Sequence, residues 1–229
     1  MEDLQIIDRP SPNQDARPNG QVVDMLILHY TGMESGEAAL ERLCDPEAKV
    51  SAHYCIEEDG RIFALVPEDA RAWHAGVAEW RGASDINARS IGVELVNPGH
   101  EFGYRLFPQA QMAALKTLAI DILARHPIQP ANVLGHSDVA PLRKQDPGEL
   151  FDWRGLAAGG VGIWREDGSA AVLESAVGKA LQRIGYGYTE DNLSAVIEAF
   201  QRHYRPTAVT GIADAGARRR LASVLGVID

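Results

Sequence analysis

Apolar residues in this chain fall into short runs that suit strands and one longer stretch with helical spacing, and the pattern changes in the last third. Residues 22–30, VVDMLILHY, are an apolar, β-compatible run ending on a histidine, as in a buried strand. Residues 51–66, SAHYCIEEDGRIFALV, hold two apolar stretches around the turn pair Asp59-Gly60 and predict a hairpin. Residues 90–97, SIGVELVN, make a third apolar strand with Glu94 inside it. Over 108–126 apolar residues recur at Met112, Leu115, Leu118, Ile122 and Leu123, close to the three-and-four spacing of a helix, and Pro127 and Pro130 stop it. Residues 132–136, NVLGH, return to a strand. Strands interleaved with helices predict an α/β sheet.

Residues 155–164, GLAAGGVGIW, are rich in glycine and small side chains and have the character of a linker. Beyond them only helical patterns occur, over 173–185, 189–204 and 214–225, with Thr189 and Asn192 as helix-start types and Gly185 and Gly187 marking the turn before them. The division is then a lead-in over 1–21, a main domain over 22–158, a linker over 159–172 and a small three-helix domain over 173–229.

The 229 residues are 45% hydrophobic and 24% charged, the balance of an ordinary globular chain. A net charge of −10 excludes a protein that tracks nucleic-acid phosphates on a basic face. The one basic run, Arg218, Arg219 and Arg220, predicts a solvated helix face. Cys44 and Cys55 form no CxxC pair and no disulfide framework, and they demand neither an oxidising nor a reducing compartment. The start of the chain carries two acidic residues and no apolar core of a secretory leader, and no stretch has the length and apolarity of a membrane span. The expected location is therefore cytoplasmic, or periplasmic if a leader has been removed.

Chemistry concentrates where strands end. His29 closes the first strand, His136 the last, and Asp146 follows ten residues later in the loop GHSDVAPLRKQDPG, where Pro141 and Pro147 restrict the chain. Two imidazoles and a carboxylate suit zinc and leave a fourth position for a water whose pKa the cation lowers. Glu94 sits in an otherwise apolar strand, where a carboxylate is costly unless paired or functional. Lys144 stands two residues before Asp146. A carboxylate and a cation beside an activated water are the groups that amide hydrolysis needs.

The ordered motifs LILHYTG, SAHYCIEEDGRI, AWHAG, SIGVELVN and GHSDVAPLRKQDPG resemble the zinc N-acetylmuramoyl-L-alanine amidases of the amidase-2 type, a family that includes anhydro-muropeptide recycling amidases and peptidoglycan recognition proteins. The resemblance spans roughly residues 22–153. It implies a mixed central β-sheet flanked by helices, with one zinc at an edge in a peptide-sized groove. By position His29, His136 and Asp146 correspond to the zinc ligands, Glu94 to the catalytic carboxylate and Lys144 to the lysine that stabilises the oxyanion. Glu94 would take a proton from the activated water, the hydroxide would attack the carbonyl of the lactyl group joined to L-Ala, and Glu94 would return the proton to the leaving nitrogen.

The same resemblance puts Trp73, His74, Trp80, Arg81, Asn87 and Arg89 at muropeptide-contacting positions, Trp73 equally suiting the core, and His53 behind the ligands. Two positions depart from relatives. Ala52 replaces a tyrosine found before the SAHY-type histidine, which leaves the base function to Glu94. Asp85 replaces an arginine that some recycling amidases use for the peptide carboxylate, a task left to Arg81 or Arg89. His100, His126 and His203 lie outside the motifs and are expected to be structural or on the surface. The tail, through LQRIGYG, AVIEAFQRHYRP and GIADA, resembles a three-helix peptidoglycan-binding module, while a purely packing appendage would carry the same apolar positions Val196, Ile197 and Phe200. The expected partners are muropeptides or peptidoglycan, with no nucleic acid. Alternatives are an exported wall-trimming amidase, a non-catalytic recognition protein and an unrelated zinc peptidase.

Overall fold

The structure is a computed structural model and describes residues 5–228. The acidic start, Glu2 and Asp3, on which the expectation of no leader partly rests, lies outside those residues. Two short strands, β1 (Ile6–Asp8) and β2 (Gln14–Ala16), precede the first apolar run, which forms β3 (Met25–Tyr30). Helix α1 (Gly36–Cys44) begins at Ser35, whose hydroxyl accepts the Ala38 N–H at 3.2 Å and so satisfies one of the orphan donors of the first turn. The predicted hairpin is β4 (Tyr54–Ile56) against β5 (Ile62–Ala64), with Cys55 opposite Phe63. After β6 (Ala70–Ala72), a short α2 (Ile86–Arg89) leads into β7 (Ser90–Leu95) and α3 (Gly99–Phe102). The predicted long helix is α4 (Gln109–Arg125), and β8 (Val133–Gly135), α5 (His136–Val139) and α6 (Trp153–Ala158) complete this part of the chain.

The main sheet has the order β1-β5-β4-β7-β3-β8. Strands β4, β7, β3 and β8 run parallel, while β5 is antiparallel to β4 and carries β1 parallel to itself. The sheet is therefore mixed, with helices on both sides, and β2 and β6 form a separate antiparallel ribbon. Because β3, β7 and β8 point the same way, their carboxyl ends emerge at one edge, where open α/β sheets bind ligands.

The period-2 alternation of strands decides what each face carries. Leu26, Leu28, Ile91, Val93, Leu95, Tyr54 and Ile56 share a buried cluster with Leu115, Leu118 and Ile122 of α4. On the opposite face Met25 and Ile27 of β3 are succeeded by His29, and β7 presents Ser90, Gly92 and Glu94. His29 and Glu94 are register partners across β3 and β7, so their side chains leave the sheet side by side.

The tail forms α7 (Val177–Ile184), α8 (Leu193–Tyr204) and α9 (Ala215–Ile228). Asn192 caps α8 by accepting the Ala195 N–H at 3.1 Å, as its residue type predicts. These helices pack against the Met25 face: Leu181, Ile184, Tyr186, Phe200, Tyr204 and Leu221 lie in one buried cluster with Met25, Ile27, Trp80, Leu134 and Val139. A single apolar core thus runs across residues 159–172. The arginine run is not one solvated face. Arg220 is buried over the Trp164 ring, with its guanidinium carbon 4.7 Å from the ring centroid, and pairs with Asp167 at 2.8 Å, which ties the linker to α9. His203, expected to be structural or on the surface, is buried.

A shared core predicts cooperative unfolding. Phe200→Ala should cost about 3–5 kcal/mol, the usual range for a buried aromatic truncation, and calorimetry should record one transition at lower temperature for the whole chain. Two separated transitions, only one of them shifted, would mean that the tail folds as its own unit.

Candidate metal centre

His29 Nδ1, His136 Nδ1 and Asp146 Oδ2 meet at the carboxyl edge of the sheet. The two nitrogens are 3.0 Å apart, and they lie 3.0 and 3.1 Å from the carboxylate oxygen. All three residues are buried. Each arrives by a different local device: His29 is the fifth residue of β3, His136 opens α5 directly after β8, and Asp146 returns on the loop, whose Asp146 carbonyl accepts the Ser137 N–H at 2.9 Å.

The hydrogen bonds on the far side of each ring determine what the near side offers. His136 Nε2 donates to the Ala75 carbonyl at 3.0 Å. Ser90 Oγ donates to the Ile86 carbonyl at 2.7 Å, which leaves it to accept from His74 Nε2 at 3.2 Å; His74 Nδ1 is then free to accept from His29 Nε2 at 3.0 Å. A neutral imidazole has one N–H, and here it lies on Nε2 of both His29 and His136. Two nitrogen lone pairs and a carboxylate oxygen are then turned on one point with no proton among them. A cation resolves that repulsion, and a ligand spacing of about 3 Å suits donors that bind one ion at ~2.0–2.2 Å. The residues therefore fit a metal, and among the described residues this is the group of side chains able to hold one. Burial, then the neighbouring His136, lowers the His29 pKa to about 4, which keeps the ring neutral as a ligand must be. Burial would raise the Asp146 carboxyl, but His136 and His29 beside it hold it below the usual range.

The triad opens into a cleft of about 560 Å³ lined also by Tyr30, Arg42, Trp73, His74, Glu94, Glu101, Arg143 and Lys144. Glu94 Oε2 is buried and has no hydrogen-bond partner among the described residues. Burial first, then Asp146, pushes its carboxyl well above the ordinary range, with Lys144 pulling the other way. A carboxyl raised in this manner, beside the triad, is suited to taking up and passing on a proton.

The remaining sequence candidates divide. Trp73 and His74 line the cleft, although both ring nitrogens of His74 are occupied in supporting His29. His53 lies behind His74, with ring centroids 5.8 Å apart, accepting the Gly92 N–H at 2.9 Å; burial and then Arg17 lower its pKa to about 3. Trp80, Arg81, Asn87 and Arg89 are not in the cleft. Trp80 is wholly buried, edge-on to Tyr186, because the tail covers it. Arg81 donates to the Ile184 carbonyl at 3.3 Å, and Arg89 is committed to Asp24, its Nε donating at 3.0 Å. Asn87 instead fixes the backbone of the AWHAG segment, its Oδ1 accepting the His74 and Ala75 N–H groups at 3.1 and 2.7 Å. Asp85 is paired with Arg71 at 3.0 Å.

Two positions escaped the sequence reasoning. Arg143 donates to the Val77 carbonyl at 2.8 Å and also to Ala75, clamping the segment that receives His136. Its place beside Lys144 in the same loop was the available signal. Gly92 is the other: a Cβ there would lie 2.5 Å from the His74 ring, so only glycine lets that ring lie on β7. A lone glycine inside an apolar strand does signal such a close approach. Gly92→Ala should displace His74, remove the partner of His29 Nε2 and lower metal affinity by ~10–100-fold, the usual scale for losing a partner of a ligating histidine. Competition with a chromophoric chelator measures this, and unchanged affinity would show that His74 yields without disturbing His29.

Residues 19–149 match the family described as N-acetylmuramoyl-L-alanine amidase. The chain is 38% identical to the N-acetylmuramoyl-L-alanine amidase AmiD of Escherichia coli, over 92% of this chain and 86% of that protein. The structure of AmiD in complex with anhydro-N-acetylmuramic acid-L-Ala-D-γ-Glu-L-Lys superposes with a TM-score of 0.81, covering 92% of both chains at 37% identity. AmpDh3 from Pseudomonas aeruginosa, in complex with an anhydromuramic pentapeptide, gives a TM-score of 0.83 at 31% identity over 93% of this chain and 95% of that one. The 1,6-anhydro-N-acetylmuramyl-L-alanine amidase AmpD of Escherichia coli is 37% identical over 63% of this chain and 86% of its own length.

Proposed function

The chain belongs to the N-acetylmuramoyl-L-alanine amidase family, and from that premise we propose that it is a zinc amidase of peptidoglycan recycling, hydrolysing the amide between the lactyl group of anhydro-N-acetylmuramic acid and the L-Ala of the stem peptide. The observation that carries the zinc and the site roles is the convergence of His29, His136 and Asp146 on one point beside the unpartnered oxygen of Glu94, in a cleft open along one side. Residues 22–158 would carry the catalysis, with the helices of 173–229 packed on them. Among the described residues no helix is long and apolar enough to cross a membrane.

His29, His136 and Asp146 would hold the zinc, which supplies Lewis acidity that activates water and polarises the scissile carbonyl. Glu94 takes the proton from the attacking water. The carbonyl carbon becomes tetrahedral, and the Lys144 ammonium faces the negative charge that develops on its oxygen. Glu94 then delivers its proton to the alanine nitrogen, so that the amide breaks to a carboxylate and a free amine. The His74–Ser90 chain and the Ala75 carbonyl keep the two imidazoles from turning during these steps. Arg81 and Arg89 lie outside the cleft, so the peptide carboxylate needs another partner. Arg42, on the last turn of α1, lines the cleft, and its guanidinium has no hydrogen-bond or ion-pair partner among the described residues.

The test is release of free peptide from anhydro-muropeptide, compared with release from intact sacculi. Glu94→Gln should keep the metal and lose ~100-fold or more in turnover, the scale of losing a general base, whereas His136→Ala should lose both. Glu94→Gln with near wild-type turnover would assign the base elsewhere, and a His136→Ala variant with stoichiometric zinc would remove that ligand.

Arg42→Ala should raise KM about 2–5-fold for a substrate with a free stem-peptide carboxylate, as expected for an exposed ion pair, and leave kcat alone. Equal KM values for the variant and the parent protein would exclude Arg42 as the anchor.

A further inference from the structure

Asp138 lies between the ligands His136 and Asp146 in sequence, is wholly buried, and takes no part in the chemistry described above. Its carboxyl oxygens accept from three donors. Gly135 N–H reaches Oδ2 at 2.7 Å, His203 Nδ1 reaches the same oxygen at 2.7 Å, and Tyr186 O–H reaches Oδ1 at 2.6 Å. The first donor is local. The other two belong to the C-terminal helical unit: His203 is in α8, and Tyr186 follows α7.

We infer that Asp138 is a positioning residue, through which Tyr186 and His203 of the C-terminal helices hold the ligand-bearing segment 135–146 in the geometry that binds metal. This rests on the zinc reading of the site. Helix α5 has only four residues, too few to be stable without outside support. Yet it must aim His136 Nδ1 at a point shared with His29, and its Ser137 N–H also holds the carbonyl of Asp146. A shift of α5 therefore moves two ligands at once.

The holding groups are themselves fixed. The His203 ring is stacked between Trp153 and Tyr204, at centroid distances of 3.7 and 3.9 Å and interplanar angles of 17° and 6°. Tyr186 is buried edge-on to Trp80 and close to Phe200. Neither side chain can follow a drifting carboxylate, so the bonds act as fixed stops. The C-terminal helices would then be part of the metal centre's support, whatever else they bind.

The experiment uses the full-length zinc-loaded chain and measures the rate of zinc loss to an excess of chelator, alongside thermal stability. Tyr186→Phe removes one hydroxyl and keeps the ring packing; His203→Ala removes the second donor. Leu221→Ala loosens the same C-terminal core without touching Asp138. Zinc loss should accelerate ~10-fold or more in the first two variants and remain at the parent rate in Leu221→Ala, although its melting temperature falls. The inference is overturned if Tyr186→Phe and His203→Ala both retain zinc like the parent, or if Leu221→Ala loses it as fast. A parent protein that binds no zinc would sink the zinc reading, and this inference with it.

Discussion

Two imidazole nitrogens and a carboxylate oxygen about 3 Å apart, with no proton among them, repel one another unless a cation or the surrounding fold holds them together. Much of the molecule serves that constraint. His29 lies near the carboxyl end of β3, a strand with a parallel neighbour on either side, and is paired in register with Glu94 of β7. Its ring is backed by His74, which Ser90 and the bare backbone of Gly92 accommodate. His136 is held from the AWHAG segment, which Asn87 and Arg143 brace from two sides. His74 has both ring nitrogens committed, and Arg143 donates to two backbone carbonyls. A triad assembled this way needs no bound ion to bring its donors together.

The same parity that brings His29 beside Glu94 also divides the work of the two sheet faces. One face is continuously apolar and buries α4; the other begins apolar at Met25 and Ile27 and turns polar toward the carboxyl edge. A one-residue slip of β3 would exchange the two sets, placing histidine against α4 and leucine in the cleft. The apolar residues therefore fix the register, and His29 and Glu94 are positioned by a packing choice they do not make. The raised pKa of Glu94 follows from the same placement: a carboxyl emerging from a buried strand is desolvated, and Asp146 adds a like charge.

How much of this was legible in the sequence depends on how local the cause is. β3 and β7 are continuous apolar runs and α4 carries the helical period over seventeen residues, and their expected limits agree with the structure to within about a turn or less. β1, β2 and β6 have three residues each and no alternation to detect; they exist because distant backbone pairs with them. Among site residues, His29, Glu94 and His136 announce themselves as polar groups at or within apolar strands. Trp80 misleads because its neighbours in sequence belong to the site while its side chain is claimed by Tyr186 in the tail. Arg220 misleads in the opposite sense: three consecutive arginines on a helix point in different directions, and this one turns inward onto Trp164.

The tail shows why an apolar helix face is weak grounds for a binding function. Val196, Ile197 and Phe200, the apolar positions that a packing appendage would carry as well as a peptidoglycan-binding module, are buried in the core they share with Met25 and Ile27. Packing accounts for their apolar character in full, so any glycan contact has to be sought on the polar surface of these helices. Sequence similarity to AmiD extends over nearly the whole chain, whereas similarity to AmpD covers about two thirds of it. In this chain Asp138, Trp80 and the Met25 face are all covered by the tail, and uncovering them would expose a buried carboxylate together with a broad apolar surface. The helices cannot be regarded as a detachable accessory: they cover the sheet's second face and hold Asp138 through Tyr186 and His203.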